Sequence, residues 1–117
     1  MTLQEQQFLF AKDVAKLIQW AASQGYMITF GEAYRTPEQA ALNAQKGTGI
    51  KDSLHCNRLA IDLNLYRDGK YLFNSRDYIP LGKYWESLGR QNKSGCWFYD
   101  AAGKLKPDGN HFERKLL

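Results

Sequence analysis

Ser53-Leu54-His55-Cys56-Asn57-Arg58-Leu59-Ala60-Ile61-Asp62-Leu63 joins a histidine, a turn-competent triplet and the start of an apolar alternating run. The chain has only two histidines, and the second lies near its other end in Asp108-Gly109-Asn110-His111-Phe112-Glu113. Each histidine has an aspartate at short range. Two imidazoles and one carboxylate are donors that zinc accepts while keeping a position open for chemistry. The expectation from these two segments is a Zn2+ site, and with it a hydrolase.

The spacing constrains how such a site is built. Donor atoms on one tetrahedral zinc lie roughly 3.3 Å apart. His55 and Asp62 are separated by seven positions, which is about 10 Å along a helix or about 23 Å along a strand. Neither regular form brings them together, so the chain must reverse between them. Leu59–Tyr66 already reads as strand, leaving Cys56-Asn57-Arg58 as the place for the reversal. His55 is expected on a loop or short strand, Asp62 on the following strand, and His111 on a strand beside it. Asp108, three residues before His111, would lie near the metal without binding it and accept a proton from its water.

Around these segments the chain alternates helical and extended signals. Thr2 and Glu5 form a capping box for a first helix, whose Leu3, Phe10, Val14, Leu17, Ile18 and Ala21 recur at helical spacing and whose stop is Gly25. Tyr26–Phe30 reads as a strand running on to Tyr34-Arg35, with Gly31 as a bulge. Thr36, Pro37 and Gln39 mark a second helix start with a second capping box, and residues 37–45 should be helical. The loop over 46–52 follows. Its Gly47-Thr48-Gly49 lacks the Lys-Ser or Lys-Thr of a phosphate-binding loop. Asp68-Gly69 marks a hairpin turn between the strand at 59–66 and a return at 70–73. Pro80 should open a third helix over 81–91. Residues 91–95 read as polar and turn-rich, 96–99 as a short apolar run and 100–109 as a turn-rich connection. The expected fold is α+β, a small central antiparallel sheet flanked by helices.

At 117 residues, 44% hydrophobic and 24% charged, the composition is that of an ordinary globular protein, and one domain over 1–117 is expected. No apolar run approaches the ~20 residues of a membrane span. The first residues lack the features of a secretory signal, so synthesis in the cytoplasm is expected. Cys56 and Cys96 are expected as free thiols. The net charge of +4 is scattered rather than gathered into a stripe with aromatics, so no nucleic-acid partner is expected.

Ser53-x-His55-x6-Asp62, followed by Asp108-Gly-Asn-His111-Phe-Glu and preceded by Tyr34-Arg35-Thr36-x-x-Gln39, resembles the zinc peptidases of peptidoglycan. These are the D-alanyl-D-alanine carboxypeptidases and dipeptidases and the phage L-alanyl-D-glutamate endolysins, in the lysostaphin, D-Ala-D-Ala metallopeptidase and hedgehog superfamily. The resemblance implies a hedgehog/DD-peptidase-like fold, with His55, Asp62 and His111 as zinc ligands and Asp108 as general base. It implies that Arg35 stabilises an oxyanion or binds a substrate carboxylate, and that Ser53 hydrogen-bonds substrate. The implied partner is the peptidoglycan stem peptide, cut by a monomer that reaches the wall after release. Three positions depart from the pattern: Arg58 replaces a common glycine, Asn110 a common proline, and Asp108 the glutamate base of the dipeptidases. The last favours an L-alanyl-D-glutamate endopeptidase over a D-alanyl-D-alanine carboxypeptidase. A non-catalytic wall-binding module is the alternative of another class.

Overall fold

The computed structural model describes residues 1–47 and 53–116. Most of the expected 46–52 loop, including Thr48 and Gly49, lies outside the described residues.

Helix α1 spans Leu3–Ser23 behind the expected capping box, with Thr2 Oγ1 accepting from the Glu5 amide and Glu5 returning the bond to Thr2. Gly25 follows at φ +87, the left-handed conformation that ends helices without a Cβ penalty. Strand β1 is Met27–Phe30, and α2 is Pro37–Gln45. Thr36 caps α2 through the Gln39 amide, but the expected reciprocal box does not form. The Gln39 side chain instead turns down the helix to Asn43 Oδ1 at 2.6 Å. Strand β2 is Ala60–Arg67 and β3 is Lys70–Leu72, joined at Asp68 and Gly69, both at positive φ as the mirror-image hairpin turn requires.

Helix α3 spans Ile79–Ser87, not 81–91. A 3-10 turn over Ser75–Tyr78 feeds it early. Past its end, Asn92 Nδ2 donates to the Trp85 carbonyl at 3.1 Å, satisfying an acceptor that a further helical turn would have used. The polar residues Asn92–Ser94 form strand β4 rather than a turn, Gly95–Trp97 is a 3-10 turn, and β5 is His111–Arg114.

The five strands form one sheet in the order β1-β2-β5-β4, with β3 also paired to β2, and every pairing is antiparallel. Strand β2 alternates across it. Ile61, Leu63 and Leu65 join Phe112 of β5, Phe10, Leu17 and Ala21 of α1, and Leu81 and Trp85 of α3 in one core. Trp85 is its centre, meeting Phe10 and Phe112 edge-on at 5.6 and 6.1 Å. That leaves Asp62 of β2 and His111 and Glu113 of β5 on the opposite face, away from the helices. Among the described residues no helix is long and apolar enough to cross a membrane.

Candidate metal centre

Asp62 and His111 are direct partners in the β2–β5 ladder. Their side chains therefore stand side by side on the face opposite the core. His55 comes from the predicted reversal: Leu54–Asn57 is a 3-10 turn, and Arg58 at φ +57 swings the chain back into β2. The left-handed backbone at Arg58 is the conformation glycine adopts most readily. Arg58 holds it with its guanidinium stacked 4.1 Å over the Tyr34 ring.

His55 Nε2 and His111 Nδ1 lie 3.4 and 3.3 Å from the same Asp62 oxygen, Oδ1. One donor atom from each of the three residues fits within 4.8 Å of the others. Two of the separations match the ~3.3 Å edge of a tetrahedral zinc site, and the donor set of two nitrogens and one oxygen suits that ion. The three residues thus fit a metal. Both histidines are buried, while Asp62 is partly exposed toward a cavity of about 530 Å³. Arg35, Ser53, Phe98, Tyr99, Lys106 and Asp108 line that cavity with them.

The electrostatics are those of a site built around a positive charge. Burial opposes ionisation of Asp62, yet hydrogen bonds to His111 and His55 outweigh it and hold its carboxyl at about 2. Burial likewise disfavours a charged His111, but hydrogen bonds to Asp62 and Glu113 prevail and raise it to about 9. The two carboxylates that flank its ring thus favour the charged form of His111. Asp108 behaves oppositely. It is open to solvent on one side, but crowding by the cavity wall raises its carboxyl, and no hydrogen bond holds that carboxylate among the described residues.

Arg35, Ser53, His55, Asp62, Asp108 and His111 all line this cavity, and several of the residues singled out in the sequence carry structural duties as well. Ser53 Oγ accepts from the His55 amide at 3.2 Å, capping the turn that presents His55. Arg35 is ion-paired to Glu32, and its amide donates to the His55 carbonyl at 3.3 Å. Asn110 donates to Asn64 Oδ1 at 3.1 Å, while its carbonyl accepts from Leu63. Cys56 and Cys96 are both free.

Glu113, Glu32 and Gly95 escaped the sequence reading, and at Gly31 it found the bulge but not the reason for the glycine. Glu113 accepts or shares a proton with His111 Nε2 at 2.7 Å, and its signal was a two-residue spacing on one strand face. Glu32 lies 3.8 Å from His55 Nδ1, with no local pattern to reveal it. Gly31 and Gly95 are dictated by close approach. A Cβ on Gly31 would lie 2.9 Å from the Asp62 Cβ, and one on Gly95 would overlap the Asp108 carbonyl. The expected bulge at Gly31 is also seen in the hydrogen bonds. Asp62 accepts from Gly31 and donates to Glu32, two residues against one, and the strand ends there instead of continuing to Arg35.

Solved structures share this architecture, two of them as follows. The L-Ala D-Glu endopeptidase ChiX of Serratia marcescens matches with a TM-score of 0.67 at 16% identity, over 89% of this chain and 79% of its own. The vancomycin-resistance D,D-pentapeptidase VanY from a VanB-type cassette, determined in complex with Zn(II), matches with a TM-score of 0.57 at 17% identity, over 90% of this chain and 70% of its own. No protein-family model and no curated protein matches the sequence. The α+β DD-peptidase-like fold expected from the motifs is the fold observed.

Proposed function

We propose that this cavity is the active site of a zinc-dependent peptidase acting on bacterial cell-wall stem peptides, cutting the bond between L-alanine and D-glutamate. The observation that carries the reading is the convergence of His55, Asp62 and His111, from a turn and two paired strands, at metal-ligand spacing inside a cavity that Asp108 also lines. Of the solved structures with this fold, one is an L-Ala D-Glu endopeptidase and another a D,D-pentapeptidase in complex with Zn(II), which supports the reading.

In this reading His55 Nε2, Asp62 Oδ1 and His111 Nδ1 hold the ion. Zinc there would polarise the scissile carbonyl and lower the pKa of a water to about 7. Asp108, whose carboxylate has no hydrogen bond among the described residues and whose carboxyl is raised by burial, takes the proton of the attacking water and delivers it to the departing amine. Arg35, fixed by Glu32, presents a guanidinium to the developing oxyanion or to a carboxylate of the substrate. Ser53 keeps its hydroxyl proton for the substrate while its oxygen caps the His55 turn. The action on the wall after release, as in an endolysin, belongs to the same proposal.

Arg35, Lys106 and Lys115 on the cavity wall would also suit a terminal carboxylate, which makes a D-alanyl-D-alanine carboxypeptidase the second reading. Digestion of purified sacculi followed by mass spectrometry separates the two. The first reading expects new termini at L-alanine and D-glutamate, abolished by a chelator and restored by zinc. Loss of a terminal D-alanine would favour the second, and intact muropeptides would overturn both. Asp108→Asn should keep its zinc and lose about 10²–10⁴ in turnover. Full activity in that variant would remove the role given to Asp108.

A further inference from the structure

Each candidate histidine turns one ring nitrogen toward Asp62 and the other toward a glutamate. His111 places Nδ1 at 3.3 Å from Asp62 and Nε2 at 2.7 Å from Glu113, whose other oxygen lies 3.0 Å from Lys115 Nζ. His55 places Nε2 at 3.4 Å from Asp62, while its Nδ1 is buried without a hydrogen-bond partner among the described residues, 3.8 Å from the Glu32 oxygen that pairs with Arg35. The pattern is the same on both sides: cation, glutamate, histidine, cavity.

We propose that Glu113 and Glu32 are the positioning residues of this centre, each fixing the tautomer and ring orientation of one histidine so that His111 offers Nδ1 and His55 offers Nε2 to a metal. The inference rests on the metal reading and assigns residues that it leaves out. A neutral imidazole carries one N–H and one lone pair. A carboxylate beside one nitrogen keeps the proton there and leaves the lone pair on the other. Without Glu113, His111 could hold its proton on Nδ1 and present no donor to the cavity.

Both glutamates are anchored where a positioning role needs them. Glu113 shares a strand face with His111, and Trp85 Nε1, at the centre of the core, donates to the Glu113 carbonyl at 3.0 Å. Glu32 is the second residue of the bulge, and its carbonyl accepts from the Asp62 amide at 2.9 Å. The backbone of Glu113 is thus tied to the core and that of Glu32 to the strand that carries Asp62. The contact at Glu113 is a full hydrogen bond and the one at Glu32 is longer, so Glu113 carries the larger share.

Two measurements on the full chain test this. The first is the zinc dissociation constant, by competition with a chromophoric chelator, for wild type, Glu113→Ala, Glu113→Gln and Glu32→Ala. The expected result is a 10–100-fold weakening in Glu113→Ala. Glu113→Gln, which keeps an oxygen acceptor, should recover most of it, and Glu32→Ala should show a smaller loss. The second is the two-bond ¹H–¹⁵N spectrum of the zinc-loaded wild type, expected to show N–H at Nε2 of His111 and at Nδ1 of His55. This spectrum reads the assignment without any variant having to fold. The reverse nitrogen pattern, or alanine variants that bind zinc as wild type does, would overturn this inference alone. A wild type that takes up no zinc would overturn it together with the metal reading beneath it.

Discussion

Arg58 shows how a single residue sets the short path between two site residues. The reversal that brings His55 to Asp62 passes through its left-handed backbone, and the Tyr34 ring compensates part of that strain. A non-glycine residue in this conformation costs about 1–2 kcal/mol, and an exposed cation–π contact returns about 0.5–1 kcal/mol. Arg58→Ala keeps the strain and loses the contact, whereas Arg58→Gly loses both. Urea denaturation should therefore find the glycine variant more stable than the alanine variant by about 1 kcal/mol. An alanine variant of equal or greater stability would contradict the strain. At this scale the sequence was informative where chemistry is carried by rare residue types. Two histidines in 117 residues, each near an aspartate, leave few alternatives. It was silent on Glu32, because proximity to His55 arises from the sheet and not from local spacing.

At the scale of elements, capping chemistry made α1 legible to the residue, since Thr2 and Glu5 satisfy each other locally. The end of α3 and the existence of β4 were not legible. Asn92 closes the helix with its side chain and begins a strand with its backbone, and the three polar residues of β4 become strand only because the edge of β5 is there to pair. The β1 bulge joins the two kinds of case. Gly31 could be read as an irregularity, but only the structure shows that it makes room for Asp62. Gly31→Ala should push Asp62 out of line, weakening zinc binding about tenfold or more, by analogy with other disturbances of ligand orientation. Chelator competition checks this, and unchanged affinity would mean that the strand can yield without moving the ligand. Trp85→Ala tests the core behind β5. It removes a fully buried ring and the bond to the Glu113 carbonyl, and should cost about 3–5 kcal/mol in urea denaturation. A loss under about 1 kcal/mol would show that the core does not depend on it.

For the molecule as a whole, the fold stores a charge arrangement that a proton satisfies in the absence of metal. His111 is raised from 6.5 to about 9, so its contribution is complete below about pH 6.5 and is lost as pH rises through about 9. Asp62 is lowered from 3.8 to about 2, so its contribution is complete above about pH 4 and is lost as pH falls through about 2. The metal-free protein should accordingly melt highest between about pH 4 and 6.5 and lose stability toward pH 9. Zinc should remove the alkaline decline, because the ion takes the proton's place. A metal-free melting temperature that rises from pH 6.5 to 9 would contradict this account. The sequence showed that His111 had to come from the far end of the chain. Only the antiparallel pairing of β5 with β2 shows that it arrives directly opposite Asp62. If three segments build one metal site, zinc titration of wild type and of His111→Ala by calorimetry must tell them apart. One tightly bound zinc is expected per wild-type chain and none held tightly by the variant; no zinc in the wild type, or equal binding by both, would rule the site out.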